Sequence, residues 1–407
     1  MKISYNFNEI INTLNILYEL ERDDLSEYVN SENLTIKFSK HNCEFVLPKA
    51  FDRNEHLHND IVALSALLLV YPFIGSRVLF NFPISEEFAK ILNSSGKKIV
   101  YRKDKIAPRN LSRGVDGIHF NGSKPSIALT QLLNDDTILA LFDDSNTNKD
   151  FQYLLMDLSF IHNKRIVSIK TDADEMFTEY YKNKPLRKGR LCFDLGEYIP
   201  LLLLSDYYNI KNININSHIT DIEQLVMEYK RVDYYRIGRW KFYNGDLSYK
   251  NMNRLNFWRD LFKGVGLELQ FPLGGLTPVG IHKIIKNSPL YPHLPVCSTG
   301  FIDKRCNRCK NCLIHSWMNW YYNGVPLDFD MDKLKSSKII YAYTIFYYRE
   351  SEDTHLRSLY SSLLKRYPDI HRQMKSLQKY RSDSIISNHN IIDKLKGFGL
   401  EKNNTLL

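Results

Sequence analysis

Long hydrophobic runs are missing from this chain. The longest largely apolar stretch, Ile61–Ile74, is interrupted by Ser65 and Pro72 and falls short of the roughly 20 apolar residues a membrane-crossing helix needs. The opening MKISYNFNEIINT has no apolar core of the kind a secretory signal carries. No internal repeat is evident, which removes solenoids and propellers. Charge of one sign is also scarce. Fifty-five Lys and Arg face 46 Asp and Glu, leaving +9 on 407 residues. That excess permits a nucleotide, a nucleic acid or an acidic partner without demanding one. Cysteine is scarce and uneven: of six in all, four fall within Cys297–Cys312. Such clustering reads as a metal site before it reads as a disulfide framework, and a cytoplasmic chain with reduced thiols is expected.

What is present is globular. Hydrophobic residues make up 43%, charged residues 25% and aromatics 13%, which excludes disordered, collagen-like and coiled-coil chains. The length suggests two or three domains and buries a core without disulfide staples. Residues 1–105 read as a self-contained α+β module. MKISYNF, LTIKFS and CEFVLP suggest strands, Ile61–Val70 a buried helix, and Ser85 ahead of Glu86 and Glu87 a helix N-cap. Residues 106–330 read as a second domain, and over 110–230 strand-like and helix-like runs alternate: IHF (118–120), SIALTQLL, TILALF (137–142), FQYLLMDLSFIH, RIVSIK (165–170), YIPLLLLSDYY and ININS. The expected fold is α/β, a doubly wound parallel sheet, with ligands at the carboxyl ends of its strands. Residues 331–407 read as a C-terminal helical region.

Residues 231–260 are rich in basic and aromatic residues, among them Arg236, Arg239, Trp240, Phe257, Trp258 and Arg259. They read either as a surface for stacking bases or as an amphipathic surface with buried rings. The cysteines are spaced C-x8-C-x2-C-x2-C, as Cys297, Cys306, Cys309 and Cys312. Four thiolates close a tetrahedral zinc shell and leave no open position, so the expected zinc is structural. An iron–sulfur cluster takes the same four ligands. Lys304, Arg305, Arg308 and Lys310 lie between them, either touching phosphate as in a zinc knuckle or solvated beside a charged tetrathiolate. Cys43 and Cys192 read as buried thiols.

An apolar strand ends at Phe120, a polar turn follows (Asn121-Gly122-Ser123-Lys124-Pro125-Ser126), and a helix begins with Pro125 near its first position. Strand–turn–helix geometry aims backbone N–H groups and the helix dipole at an anion. It is equally the form of an ordinary βα turn.

Taken together, the turn F-N-G-S-K-P-S-I-A-L resembles the F-S-G-G-x-D-S-x-A-L signature of ATP pyrophosphatases of the adenine-nucleotide α-hydrolase fold. The cysteine spacing, with Pro272…His282-Lys283 before it, resembles the zinc region of 7-cyano-7-deazaguanine synthases of the QueC type. The resemblance covers residues 110–320. It implies a zinc site within a pyrophosphatase-loop domain and ligase chemistry with ATP and Mg²⁺. In that chemistry a 7-deazaguanine carboxylate attacks the α-phosphate, pyrophosphate leaves, an amine displaces AMP from the acyl-adenylate to give an amide, and, where the amine is ammonia, a second ATP round dehydrates that amide to the nitrile. It further implies that Asn121, Gly122, Ser123, Lys124 and Ser126 line the phosphate site, with Lys124 and Ser126 catalytic. Asp143 or Asp144 would face the adenosine, and Arg187 and Arg190 the substrate or phosphate. Larger relatives of this type occur in bacterial anti-phage operons, so a protein partner encoded nearby and a role in antiviral defence are expected. The turn departs from the signature, with Asn121 for Ser, Ser123 for Gly and Pro125 for Asp. A catalytically degenerate binding subunit therefore stands as the alternative, and a zinc-dependent nucleic-acid binder as a third.

Overall fold

Period-two patterning drives the first strands. β2 (Thr13–Glu19) buries Leu14, Ile16 and Tyr18 and turns Leu17 and Glu19 outward, the alternation of a strand with one face on the core. It pairs along its whole length with β1 (Lys2–Asn8), from Lys2↔Glu19 to Asn8↔Thr13. The computed structural model describes residues 1–29, 35–109, 113–143, 155–156, 158–159, 164–181, 184–188, 195–216, 235–237, 240–242, 253–273, 276, 278–291, 294, 379–381, 389–398 and 400–403.

Further elements follow in chain order: β3 (Glu27–Val29), β4 (Thr35–Phe38), β5 (Asn42–Val46), α1 (Arg53–His56), α2 (Asn59–Val70), β6 (Arg77–Pro83), α3 (Glu86–Asn93), β7 (Lys98–Arg102), β8 (Val115–His119), α4 (Lys124–Leu132), β9 (Ile138–Asp143), β10 (Arg165–Thr171), β11 (Phe177–Tyr181), β12 (Lys184–Lys188), α5 (Ile199–Leu203), β13 (Ile210–Asn214), β14 (Tyr235–Ile237), β15 (Trp240–Phe242), α6 (Asn253–Gly264), β16 (Glu268–Gln270), α7 (Pro278–Ile285), β17 (Lys379–Arg381), α8 (His389–Gly397) and β18 (Glu401–Asn403). The expected helices at 61–70 and after Pro125 are α2 and α4. Ser85 caps α3 as expected, its Oγ accepting the Phe88 N–H at 3.2 Å.

Ten strands form one mixed, mostly parallel sheet in the order β16-β13-β8-β9-β10-β5-β2-β1-β6-β7. Parallel pairs fill one end, β16 to β10, and recur at the other, β1-β6-β7. The antiparallel β5 and β2 lie between them, and the joint is β10 with β5, Lys170↔Val46 and Thr171↔Phe45. Residues 1–105 and 106–330 therefore share one sheet, and one apolar cluster runs from Met1 to Phe271. A smaller sheet, β12-β11-β4-β3, packs through Phe177, whose ring stacks on Phe73 at 5.4 Å.

Within the parallel end, the first strand in sequence, β8, is central. β9 and β10 follow on one side, β13 and β16 on the other. Helices cover both faces. α4, α7 and α8 pack on one face, where Ile118 of β8 and Leu139 of β9 meet Ile127, Ile281 and Leu395. α2, α5 and α6 pack on the other, where Ile138 and Ala140 of β9 meet Leu201 and Leu202. Gly117 permits the close approach of α5, because a Cβ there would lie 2.7 Å from Leu201 Cδ2. No helix among the described residues is long and apolar enough to cross a membrane.

Candidate functional site

β8 ends at His119, and Phe120 extends its pairing by one N–H bond to Ala140 O at 2.9 Å. The chain then turns through Asn121 and Gly122, which has φ of +70°. That left-handed conformation suits glycine, because any Cβ crowds its own carbonyl there. Ser123 caps α4. Its Oγ accepts the Ser126 N–H at 3.4 Å, while Asn121 Oδ1 accepts the Ser123 N–H at 3.1 Å. The Ser126 hydroxyl donates to Ser123 O at 2.9 Å. Lys124 is the first helical residue, with Pro125 behind it. The turn thus spends two of its own backbone donors on its own side chains. Ser126 is fully buried and its hydroxyl points back into the turn.

Asp143 ends β9 on the same edge of the sheet, beside Lys170 of β10 (Oδ2 to Nζ 4.0 Å). One carboxyl edge therefore carries Asn121, Gly122, Ser123, Lys124, Ser126 and Asp143. Asp144, Arg190 and Cys297, Cys306, Cys309 and Cys312 lie outside the described residues. Arg187 sits on β12, paired with Glu179 in the smaller sheet. The described residues hold no group of three or more His, Cys, Asp or Glu side chains that fits a metal ion. The turn itself, Asn121 to Ser126, contains no carboxylate for Mg²⁺.

Several residues that the sequence reading passed over meet at the β8–β13 end of this edge. His119 is buried, with its side chain 8% exposed, and its Nε2 lies 3.5 Å from Glu197 Oε2. Burial pushes its imidazole down to about 4, so the ring is neutral near pH 7. A neutral ring carries one N–H and one acceptor nitrogen, and Nδ1 has no hydrogen-bond partner among the described residues. Tyr198 meets the His119 ring edge-on at 5.8 Å. The Tyr198 hydroxyl donates to Asn216 Oδ1 at 2.7 Å and accepts the Asn216 N–H at 2.9 Å. On β13, Ile213 and Ile215 enter the core while Asn212 and Asn214 alternate with them. Both asparagines donate to Asp116 Oδ1 of β8, at 3.0 and 3.3 Å. The signal for this strip was the alternation N-I-N-I-N at 212–216, polar residues at period two in a strand that is central to a parallel sheet.

Two other features serve the packing of the fold. A cavity of about 320 Å³ lies at the far end of α4, lined by Thr130, Asn134, Asp135, Lys164 and Lys394 among others. It is at the amino edge, and its lysines serve the fold. Lys394 Nζ donates to the Leu132 and Leu133 carbonyls, and Lys164 Nζ to Asn134 O and Asp135 Oδ1. Cations there complement the negative end of α4. In the basic-aromatic stretch, Trp258 is buried and lies 5.2 Å from Tyr71, with Phe257 5.5 Å from the same ring. These two rings are packing residues of α6.

Residues 257–391 match the model of a family of unknown function, DUF6395. The matched span takes in most of α6, β16, α7 and the cysteine run, and leaves β8 and its turn outside. No curated protein and no solved structure matches the chain.

Proposed function

We propose that the carboxyl edge around β8 is the active site of a QueC-like, ATP-dependent adenylating enzyme acting on a 7-deazaguanine carboxylate, with the amide or nitrile as product and a protein amine as one acceptor. The observation that carries this reading is the strand order. The first strand of five is central, its successors lie on opposite sides, and their helices lie on opposite faces. A doubly wound sheet binds its ligand where the order reverses, here between β8 and β13. The glycine turn that opens α4 stands at that point.

In this reading the α4 N-terminus and Gly122 receive the pyrophosphate portion of ATP, with Lys124 adding positive charge. The substrate carboxylate attacks the α-phosphorus, the bond to the bridging oxygen breaks, and pyrophosphate departs with that electron pair. The acceptor amine then displaces AMP from the acyl-adenylate. Donors already oriented toward the leaving group stabilise its growing charge without reorganisation. The turn offers no carboxylate for Mg²⁺, so none of these steps is assigned to it. Cys297, Cys306, Cys309 and Cys312 would hold a structural zinc, which adds folding energy to its region. Cys309→Ser is expected to lose the metal and lower the melting temperature. Unchanged zinc content and melting would refute the site.

The test is AMP and pyrophosphate release from ATP and Mg²⁺ by the zinc-loaded protein. It is run with and without 7-carboxy-7-deazaguanine and the proteins encoded beside it. AMP that depends on the deazaguanine supports adenylation, and its absence under all conditions sinks it. The self-satisfied turn favours a second reading, a binding subunit that retains the site without turnover. There, Ser123→Gly with Pro125→Asp leaves partner association unchanged. Loss of association on that change counts against it.

A further inference from the structure

The cavity at the far end of α4 is lined by two ammonium groups from remote segments, Lys164 just ahead of β10 and Lys394 of α8. The Lys164 side chain is 5% exposed. An ammonium group carries three N–H donors. Lys164 gives one to Asn134 O at 3.1 Å and one to Asp135 Oδ1 at 2.8 Å. Lys394 gives one to Leu132 O at 2.8 Å and one to Leu133 O at 3.4 Å. Serving the fold therefore takes two donors of each, and the third has no acceptor among the described residues. A charged donor held away from bulk water calls for an acceptor. The carbonyls that end α4 would repel an anion, but they are already turned onto these lysines. Asp135 is the one carboxylate in the lining, and its side chain is 99% exposed. Two cations against one solvated carboxylate leave the cavity with an excess of positive charge.

We propose that this cavity binds a phosphate group, free or carried as the monoester of a small polar molecule, between Lys164 and Lys394. The proposal does not depend on the adenylation reading. Lysine meets phosphate as a point charge, whereas a planar carboxylate suits the fork of an arginine, and the lining contains no arginine. The side-chain amides of Gln131 and Asn134 add neutral donors. At about 320 Å³ the cavity has the size of a small-molecule site rather than of a bare ion, and the Thr130 hydroxyl in its lining suits a polar ester. The nine residues of α4, about 13 Å of helix, separate it from the Gly122 turn, so the two are distinct sites.

The test is calorimetric titration of the full chain with inorganic phosphate and with glycerol 3-phosphate, at an ionic strength held constant with chloride and with glycerol as the neutral control. Lys124 at the turn is the rival cation, so each titration is repeated in Lys124→Ala. Saturable binding of a phosphate probe is expected, with the affinity unchanged in Lys124→Ala. Lys394→Met keeps the apolar stem and lowers that affinity at least tenfold, the scale of a lost charge-assisted bond, while Lys394→Arg keeps most of it. Both Met variants, Lys394→Met and Lys164→Met, also remove bonds of the fold, so melting temperatures are recorded without phosphate. Asn134→Asp keeps the argument testable if either fails to fold. It sets a second carboxylate beside the cavity on an exposed residue, and is expected to weaken phosphate binding severalfold at an unchanged melting temperature. Tighter binding of glycerol 3-phosphate identifies an ester as the ligand, and equal binding shows that the phosphate group alone is read. The proposal is overturned if the wild-type chain binds neither phosphate probe, or if binding survives both Lys394→Met and Asn134→Asp. Loss of all phosphate binding in Lys124→Ala would place the anion at the turn and overturn it as well.

Discussion

Arg109 sits where the chain passes from the first half of the sheet to β8, and its guanidinium is buried. Nε donates to Asp206 Oδ1 at 2.7 Å, Nη1 to Val265 O at 2.5 Å and Nη2 to Ser205 Oγ at 3.0 Å. Three segments remote in sequence are therefore tied at the amino edge. Burial lowers the guanidinium pKa and Asp206 raises it again, yet arginine stays charged throughout. Arg109→Ala removes the partner of Asp206 and leaves the Val265 carbonyl unpaired, so a loss of about 3 kcal/mol is expected. Arg109→Met, which restores the apolar stem without the charge, recovers part of it, and urea midpoints for the two variants check the order. His119 makes a pH prediction with a definite sign. Its folded value of about 4 lies below the ordinary 6.5, so the unfolded chain takes up the proton first. Its contribution is present above pH 6.5, is lost as pH falls from there toward 4, and amounts to about 3 kcal/mol. His119→Leu removes that part of the acid sensitivity, so the stability difference between variant and wild type grows across this window. A constant difference from pH 7 to pH 4 would show that His119 does not titrate as its burial requires. Arg109 and His119 are both invisible in sequence, because nothing local marks a lone Arg or His as buried, and their partners lie 78 to 156 residues away.

At the scale of elements, α4 was readable and the chemistry of its turn was only half so. Ser123 and Pro125 announce the helix start, and Gly122 announces the turn. The hydrogen bonds of Asn121 and Ser126 within the turn depend on side-chain rotamers that no spacing rule fixes. Gly122→Ala is expected to cost about 1 kcal/mol through its positive φ. Ser123→Ala costs about 1 kcal/mol through the lost cap, and Ser123→Gly only a few tenths. Thermal melts separate these three. Under the adenylation reading Ser123→Gly also frees the Ser126 N–H, so it raises affinity for an ATP analogue at almost no cost in stability. An unchanged affinity would mean that this donor does not face the ligand. β13 illustrates the opposite case. ININS read as a strand, but its polar face became intelligible only once Asp116 of β8 stood beside it.

At the scale of the molecule, the alternation of strands and helices after residue 106 was legible, because each βα unit is written in contiguous sequence. The joint between halves was not, since β5 meets β10 across the 118 residues between the two strands, through two residue pairs. The boundary at 105/106 looks clean in sequence because the alternation of strand-like and helix-like runs starts just after it, while the packing that crosses it is carried by rings. Phe73 stacks on Phe177, and Tyr71 meets Phe257 and Trp258. A fragment ending at residue 105 would lose these partners and leave β5 as an exposed edge, with Phe45 uncovered by Phe142. Unpaired edges of that kind invite association between chains. Residues 1–105 produced alone are therefore expected to give oligomers without a cooperative melt, and co-expression with residues 106–407 to restore a soluble one-to-one complex. A monodisperse fragment that melts cooperatively would show that the shared sheet is an interface between two independently stable halves.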